Sequence, residues 1–278
     1  TGEPAEPPDE EDGGDDAVAE NLDDNENDTL TREGIVYWNQ PRDVDDAELP
    51  QELQSLWKWL QRDHDKPPSG KRSILEQCFF VVPEYMKRVH CHLHGTIAVA
   101  DDGVPTIFAG GSTQMGKTMF VVIGACVARC LGVASIVITT KVAGRNELAQ
   151  KVSDAFNQLL LSAAPDKDPD DKYFECASYA AGDEVRTRLL KRKRCVVVSD
   201  TTAQIWDASG SMYNTIHELQ TTTRDTEDEL RFVLFKDEAD SMLRTEDERL
   251  RLEQGIKTLV TTQGTYRGPA LIISITAT

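Results

Sequence analysis

Hydrophobic positions fall along this chain in two rhythms. Between residues 48 and 62, Leu49, Leu53, Leu56, Trp57 and Leu60 recur at helical spacing, with Pro50 tolerable near the start. They predict an amphipathic helix whose apolar stripe packs on a larger body. From residue 106 onward the pattern changes to short apolar runs rich in β-branched residues. These are TIFAG (106–110), SIVITT (135–140), YFECAS (173–178), CVVVSD (195–200), FVLFKD (232–237) and LIISIT (271–276). Without polar alternation they predict strands covered on both faces. Helical patterns separate them: in RNELAQKVSDAFNQLLL, Leu148, Val152, Ala155, Phe156 and Leu159 share one face. Strand and helix in alternation predict an α/β domain with a doubly wound, mostly parallel sheet.

Three stretches leave room for more than one element. MFVVIGACVARCLGVASIVI (119–138) is long and apolar enough to suggest a membrane span. Arg129 interrupts it and Gly132 punctuates it, so a buried helix, a turn and a buried strand fit better. ILEQCFFVVPEYM is an apolar run of ambiguous type. HCHLH (90–94) reads as a strand on which His90, His92 and His94 share one face, with Cys91 and Leu93 opposite. Three imidazoles can bind Zn²⁺; a half-buried strand with a polar outer surface is the alternative. Trp57 lies on the apolar stripe and is expected in the core, whereas Trp59 lies off it and is the better candidate for partner contact.

Composition divides the chain further. The net charge of −18 is concentrated: residues 1–30 hold 13 acidic side chains and no Lys or Arg, leaving 35 acidic against 30 basic residues. The folded part is only mildly acidic, so net charge neither supports nor excludes a nucleic-acid partner. Residues 1–33 cannot bury enough apolar surface to offset the entropy of ordering, and a disordered acidic tail is expected there. A small accessory region at 34–94, α+β in character, would link it to the main domain at 95–278, which opens with a hairpin-like turn at Asp101-Asp102-Gly103. Six cysteines at no framework spacing suggest reduced, mostly buried thiols in an intracellular protein. The chain begins with Thr1 and stops at Thr278 straight after an apolar run, so a segment of a longer protein is expected.

Chemistry enters with GGSTQMGKT. Gly111, Gly116, Lys117 and Thr118 match the spacing G-x-x-x-x-G-K-[ST], and Ser112, Thr113, Gln114 and Met115 fill it. A strand (TIFAG) precedes the loop and an apolar helix starting at Lys117 follows it. Backbone N–H groups and the positive end of a helix dipole are what a triphosphate requires. Lys117 would reach the β and γ phosphates and Thr118 would hold Mg²⁺. In RFVLFKDEAD, Asp237 emerges at a strand end, where ligands bind in open α/β sheets. Asp237 would hold Mg²⁺ and Glu238 would orient and deprotonate the attacking water. The competing readings are an ordinary βα turn and a solvated strand end.

GSTQMGKT, DEAD (237–240) and the terminal SITAT resemble motifs I, II and III of superfamily 2 helicases and translocases. The resemblance covers residues 95–278 and implies the first, RecA-like domain of an ATP-driven motor on nucleic acid, DNA or RNA undetermined, with a second such domain downstream. Motif III would be Thr276-Ala277-Thr278, coupling nucleotide state to movement. By position, Thr139, Thr140 and Arg145 echo motif Ia, and Thr201 and Thr202 echo motif Ib, both contacts to the nucleic-acid backbone. The same hydroxyls also suit helix caps. Gln114 stands where many members have Gly, and Gln77 is the only upstream candidate for an adenine-reading glutamine. The narrower DEAD-box forms of motifs Ia and Ib are missing, so the resemblance is to the superfamily.

RTRLLKRKR (186–194) is the densest basic stretch. It reads as a helix end, where cations are favoured, as a phosphate contact, or as a targeting signal. Two other function classes share the central motifs: a P-loop ATPase that remodels protein partners without nucleic acid, and a non-catalytic interaction module.

Overall fold

The computed structural model describes residues 48–94, 104–111, 116–139, 142–163, 175–178, 195–200, 212, 214–216, 218, 231–237 and 268–277. Three helices come first: α1 (Gln51–Asp65), α2 (Ile74–Gln77) and α3 (Val82–His94). The main domain follows as β1 (Thr106–Gly111), α4 (Lys117–Cys130), β2 (Ala134–Thr139), α5 (Val142–Ala163), β3 (Glu175–Ser178), β4 (Cys195–Asp200), β5 (Phe232–Lys236) and β6 (Leu271–Ala277).

The six strands form one sheet in the order β1-β6-β5-β2-β4-β3, and every neighbouring pair is parallel. Along the chain, β1, β2 and β3 advance across the sheet, and β4, β5 and β6 step back into the gaps. Because such crossovers are right-handed, the steps β1 to β2 and β2 to β3 place their helices α4 and α5 on the same face. All six residues of β2 are buried, as a strand covered on both sides must be. This is the doubly wound, parallel α/β sheet that the apolar runs predicted, and the RecA-like class that the motif resemblance implied.

On one face, α4 and α5 pack side by side, with α4 against β2 and β5. The amino-terminal helices form a further layer: α1 lies on α4 and α5, and α3 lies on α4. That layer explains the composition of α4, whose residues Met119–Ala128 are all buried. A helix between a sheet and other helices has no solvent face. Gly124 makes the approach possible, since a Cβ there would stand 2.7 Å from the Tyr85 hydroxyl and 2.8 Å from the Phe235 ring.

The 119–138 stretch resolves as expected. Helix α4 ends at Cys130, Gly132 turns the chain at φ 67°, and β2 follows. No helix among the described residues is long and apolar enough to cross a membrane. The first helix is also where the stripe placed it, with Leu53, Leu56, Trp57 and Leu60 buried and Leu49 buried just before it. Trp59 is half-buried and packs against the same core, which removes much of its case as a contact residue.

One ambiguity is resolved and one expectation is corrected. ILEQCFFVVPEYM is helical at both ends, in α2 and α3. Ser73 caps α2: its Oγ accepts from Glu76 N at 3.2 Å, and Glu76 Oε2 accepts from Ser73 N at 2.9 Å. HCHLH is the last turn of α3, where a strand was expected, because Val82, Tyr85, Met86, Val89 and Leu93 set a helical stripe through it. The described part of the accessory region is therefore all helical. Of the cysteines, Cys78 and Cys126 are buried, Cys130 and Cys176 are half-buried and Cys91 is exposed; all five are free thiols. Burial pushes the Cys130 thiol up to about 11 and Cys176 up to about 12, so both stay protonated at neutral pH. The acidic tail, the Asp101-Asp102-Gly103 turn and the 186–194 basic stretch lie outside the described residues.

Candidate active site

Parallel pairing sends all six strand ends to one edge of the sheet. Register places Gly110 of β1 beside Thr276 of β6, and Lys236 of β5 beside Ser274 of β6. The turn into α4 and the residue after β5 therefore leave the same edge, with only β6 between their strands. At the usual interstrand spacing, β1 and β5 stand about 10 Å apart. Asp237 is fixed at its strand end by its own N–H, which donates to Ile138 O at 2.9 Å. Its side chain is half-buried, as are those of Lys117, Thr118 and Thr276.

Helix α4 starts at this edge because Gly116 ends the loop in a left-handed conformation, φ 59°. Only glycine adopts it at little cost, and here the second reason is spatial. A Cβ at Gly116 would sit 2.2 Å from the Gln77 carbonyl oxygen and 3.0 Å from the Phe79 ring. The accessory helices thus press directly on the loop's final residue. An aromatic group holds them there. Phe80 stacks on Phe120 at a centroid distance of 3.9 Å, Tyr85 meets Phe120 edge-on at 5.2 Å, and the Tyr85 hydroxyl donates to Phe120 O at 2.9 Å. Phe120 lies in the first turn of α4, so these contacts fix the helix end that carries Lys117 and Thr118.

Gln77 lies beside the loop, but its side chain is engaged elsewhere. Its amide donates to the carbonyls of Arg72 at 3.0 Å and Ser73 at 3.3 Å. Reading a base through that amide would require breaking both. A groove of about 570 Å³ opens between α3 and β1, lined among others by Phe80, Arg88, His92, Phe108 and Gly110. Phe108 is 78% exposed there.

Ser112, Thr113, Gln114, Met115, Glu238 and Thr278 lie outside the described residues, and Gly111 and Ala277 are described only as the paired ends of β1 and β6. Among the backbone-contact candidates, Thr140, Thr201 and Thr202 also lie outside. Thr139 is only 4% exposed, enclosed at the end of β2. Arg145 remains half-buried in the first turns of α5.

Sequence reasoning missed one polar cluster. Asp63, fully buried, accepts from Ile74 N at 2.6 Å, from Ser162 Oγ at 2.7 Å and from Gln158 Nε2 at 3.3 Å. Gln158 Nε2 also donates to Arg72 O at 2.7 Å. These contacts tie α1, the start of α2 and α5 together. The available signal was Asp63 itself, an acid at a core-facing position of the α1 stripe, three residues after Leu60.

No protein-family model matches this sequence, and no curated protein does either. Among solved structures, the chain is similar to the yeast DEAD-box splicing factor Prp28, at 12% identity over 83% of this chain and 45% of that one, with a TM-score of 0.43. It is also similar to a hypothetical ATP-dependent RNA helicase from Sulfolobus tokodaii, at 15% identity over 70% of this chain and 50% of that one, with a TM-score of 0.35. The chain spans about half the length of each. The strand order defines the doubly wound sheet independently of these likenesses.

Proposed function

We propose that this chain is the ATP-binding and hydrolysing motor domain of a superfamily 2 helicase-like protein acting on nucleic acid. The observation that supports this most is the common edge: the helix bearing Lys117 and Thr118 and the strand end bearing Asp237 flank a single strand, β6. A triphosphate lying along that edge would meet the amino-terminal N–H groups of α4, and Lys117 would neutralise charge on its outer phosphates. Magnesium fits the donors on offer, a hydroxyl from Thr118 and a carboxylate from Asp237, both hard oxygens. Bound there, it would offset charge on the β and γ phosphate oxygens.

The remaining roles belong to the chain. Glu238, next along from Asp237, would orient water for in-line attack and accept its proton. Thr276 and Ala277 end β6 between the strands of the two halves of the site, and with Thr278, next along the chain, they would sense the γ-phosphate and pass that state to a second domain. Such a partner domain would supply a cationic finger, a large factor in turnover. Slow hydrolysis is therefore expected from this segment alone.

The decisive measurement is ATP turnover by the full-length protein with and without single- and double-stranded DNA and RNA. Stimulation by a nucleic acid is expected, as is a loss of about 100-fold or more in Lys117→Ala. Turnover indifferent to every nucleic acid would leave a partner-remodelling ATPase. An unaffected Lys117→Ala would remove the mechanism.

A further inference from the structure

Helix α3 ends in a turn that presents His90 and His94 on one face, one helical turn apart, with their rings stacked at a centroid distance of 4.9 Å. Glu52, in the first turn of α1, reaches both. One carboxylate oxygen lies 3.4 Å from His90 Nε2 and the other 3.4 Å from His94 Nε2. One donor atom from each of these three side chains lies within 4.8 Å of the other two. His90 is only 9% exposed, and its Nε2 makes no hydrogen bond: the carboxylate oxygen is close but out of line. A buried ring nitrogen without a hydrogen bond is costly, and this one faces the Glu52 carboxylate.

The geometry points to a divalent transition-metal site, of the zinc type, held by His90 Nε2, His94 Nε2 and the Glu52 carboxylate. Two donors on a tetrahedral zinc at ordinary bond lengths stand about 3.4 Å apart, the separation of each imidazole nitrogen from its own nearer oxygen of the Glu52 carboxylate. Two imidazoles and a carboxylate suit zinc, and also nickel or copper, but not magnesium or calcium, which prefer all-oxygen shells. His94 is largely exposed, so a water can complete the coordination from the solvent side. A cation here also faces the negative, carboxyl-terminal end of the α3 dipole. The ion would pin the start of α1 to the end of α3, closing the accessory layer that presses on the loop at Gly116. His92 is not among the ligands, because the helix turns it away to the groove beside β1.

The test uses the whole chain without an affinity tag, stripped with a chelator, desalted and titrated with zinc chloride by calorimetry, with thermal unfolding alongside. One zinc per chain is expected, raising the unfolding temperature, with magnesium unable to compete. His94→Ala, at an exposed position, and Glu52→Gln, of nearly the same shape, should each weaken that binding tenfold or more. His92→Ala should leave it unchanged. Circular dichroism of the metal-free variants checks that they fold alike. Absence of zinc binding in the wild-type chain would overturn the proposal and leave a plain imidazole–carboxylate pair. So would a zinc affinity unchanged in both His94→Ala and Glu52→Gln.

Discussion

Two polar regions, one around Asp63 and one at the carboxyl edge of the sheet, solve opposite problems. Around Asp63, one buried carboxylate gathers a backbone N–H from the start of α2 and a side-chain amide and a hydroxyl from α5. At the carboxyl edge of the sheet, Lys117, Thr118, Asp237 and Thr276 are only half-buried. The difference teaches where to look for function. Buried polar groups that satisfy one another fix a fold, whereas polar groups lined up along an open edge are available to a ligand. The two regions meet at Gly116, where the accessory layer touches the phosphate-type loop.

If that division is right, substitutions should separate stability from nucleotide binding. The largest effect on stability is expected from Asp63→Ala, which strands the Ile74 N–H and removes one acceptor each from Gln158 and Ser162. A loss of about 3 kcal/mol in denaturant unfolding is expected, with ATP affinity unchanged under conditions where the variant is folded. An equal loss of affinity would mean the two regions are one. Gly116→Ala should act on both sides. Its left-handed backbone costs an L-residue about 1–2 kcal/mol, and the new methyl group would collide with the Gln77 carbonyl. Reduced stability together with weakened ATP binding, measured by unfolding and by fluorescent-nucleotide titration, would place the seam there. Normal binding would show that the loop tolerates displacement.

The smallest effect belongs to the cap of α2. Ser73→Ala should lower stability by about 1 kcal/mol. Its partner Glu76 is held below the usual carboxylate range, first by the hydrogen bond from the Ser73 backbone N–H and then by the Ser73 hydroxyl and the nearby His64 and Arg72 charges. A carboxylate with a lowered folded-state pKa adds stability above its unfolded value and loses it as pH falls through the folded one. Stability of the wild-type chain should therefore fall on acidification below the ordinary glutamate range by more than that of Glu76→Gln. Parallel acid profiles in unfolding experiments would show that the cap contributes no such linkage.

Local pattern sufficed where the fold repeats at short range. The stripe through Leu53 and Trp57 and the break at Gly132 each lie within a few residues of the chain. Pattern failed at HCHLH because alternation over five residues fits a strand as well as a helix end. The helical stripe from Val82 to Leu93 decided between them only once α3 had α4 to pack against. Asp63, Gln158 and Ser162 were unreadable for a different reason: their partners lie up to 99 residues away.

By itself, then, the sequence determined the alternation of strands and helices and which residues stand at strand ends, since both follow from periodicity and turn chemistry. Tertiary structure alone decided that β6 slots between β1 and β5, so that the loop at Lys117 and the acid at Asp237 open onto one edge. It likewise decided that Glu52 meets His90 and His94. The order of strands and the crossing of helices are set by long-range burial, which no local run of residues encodes.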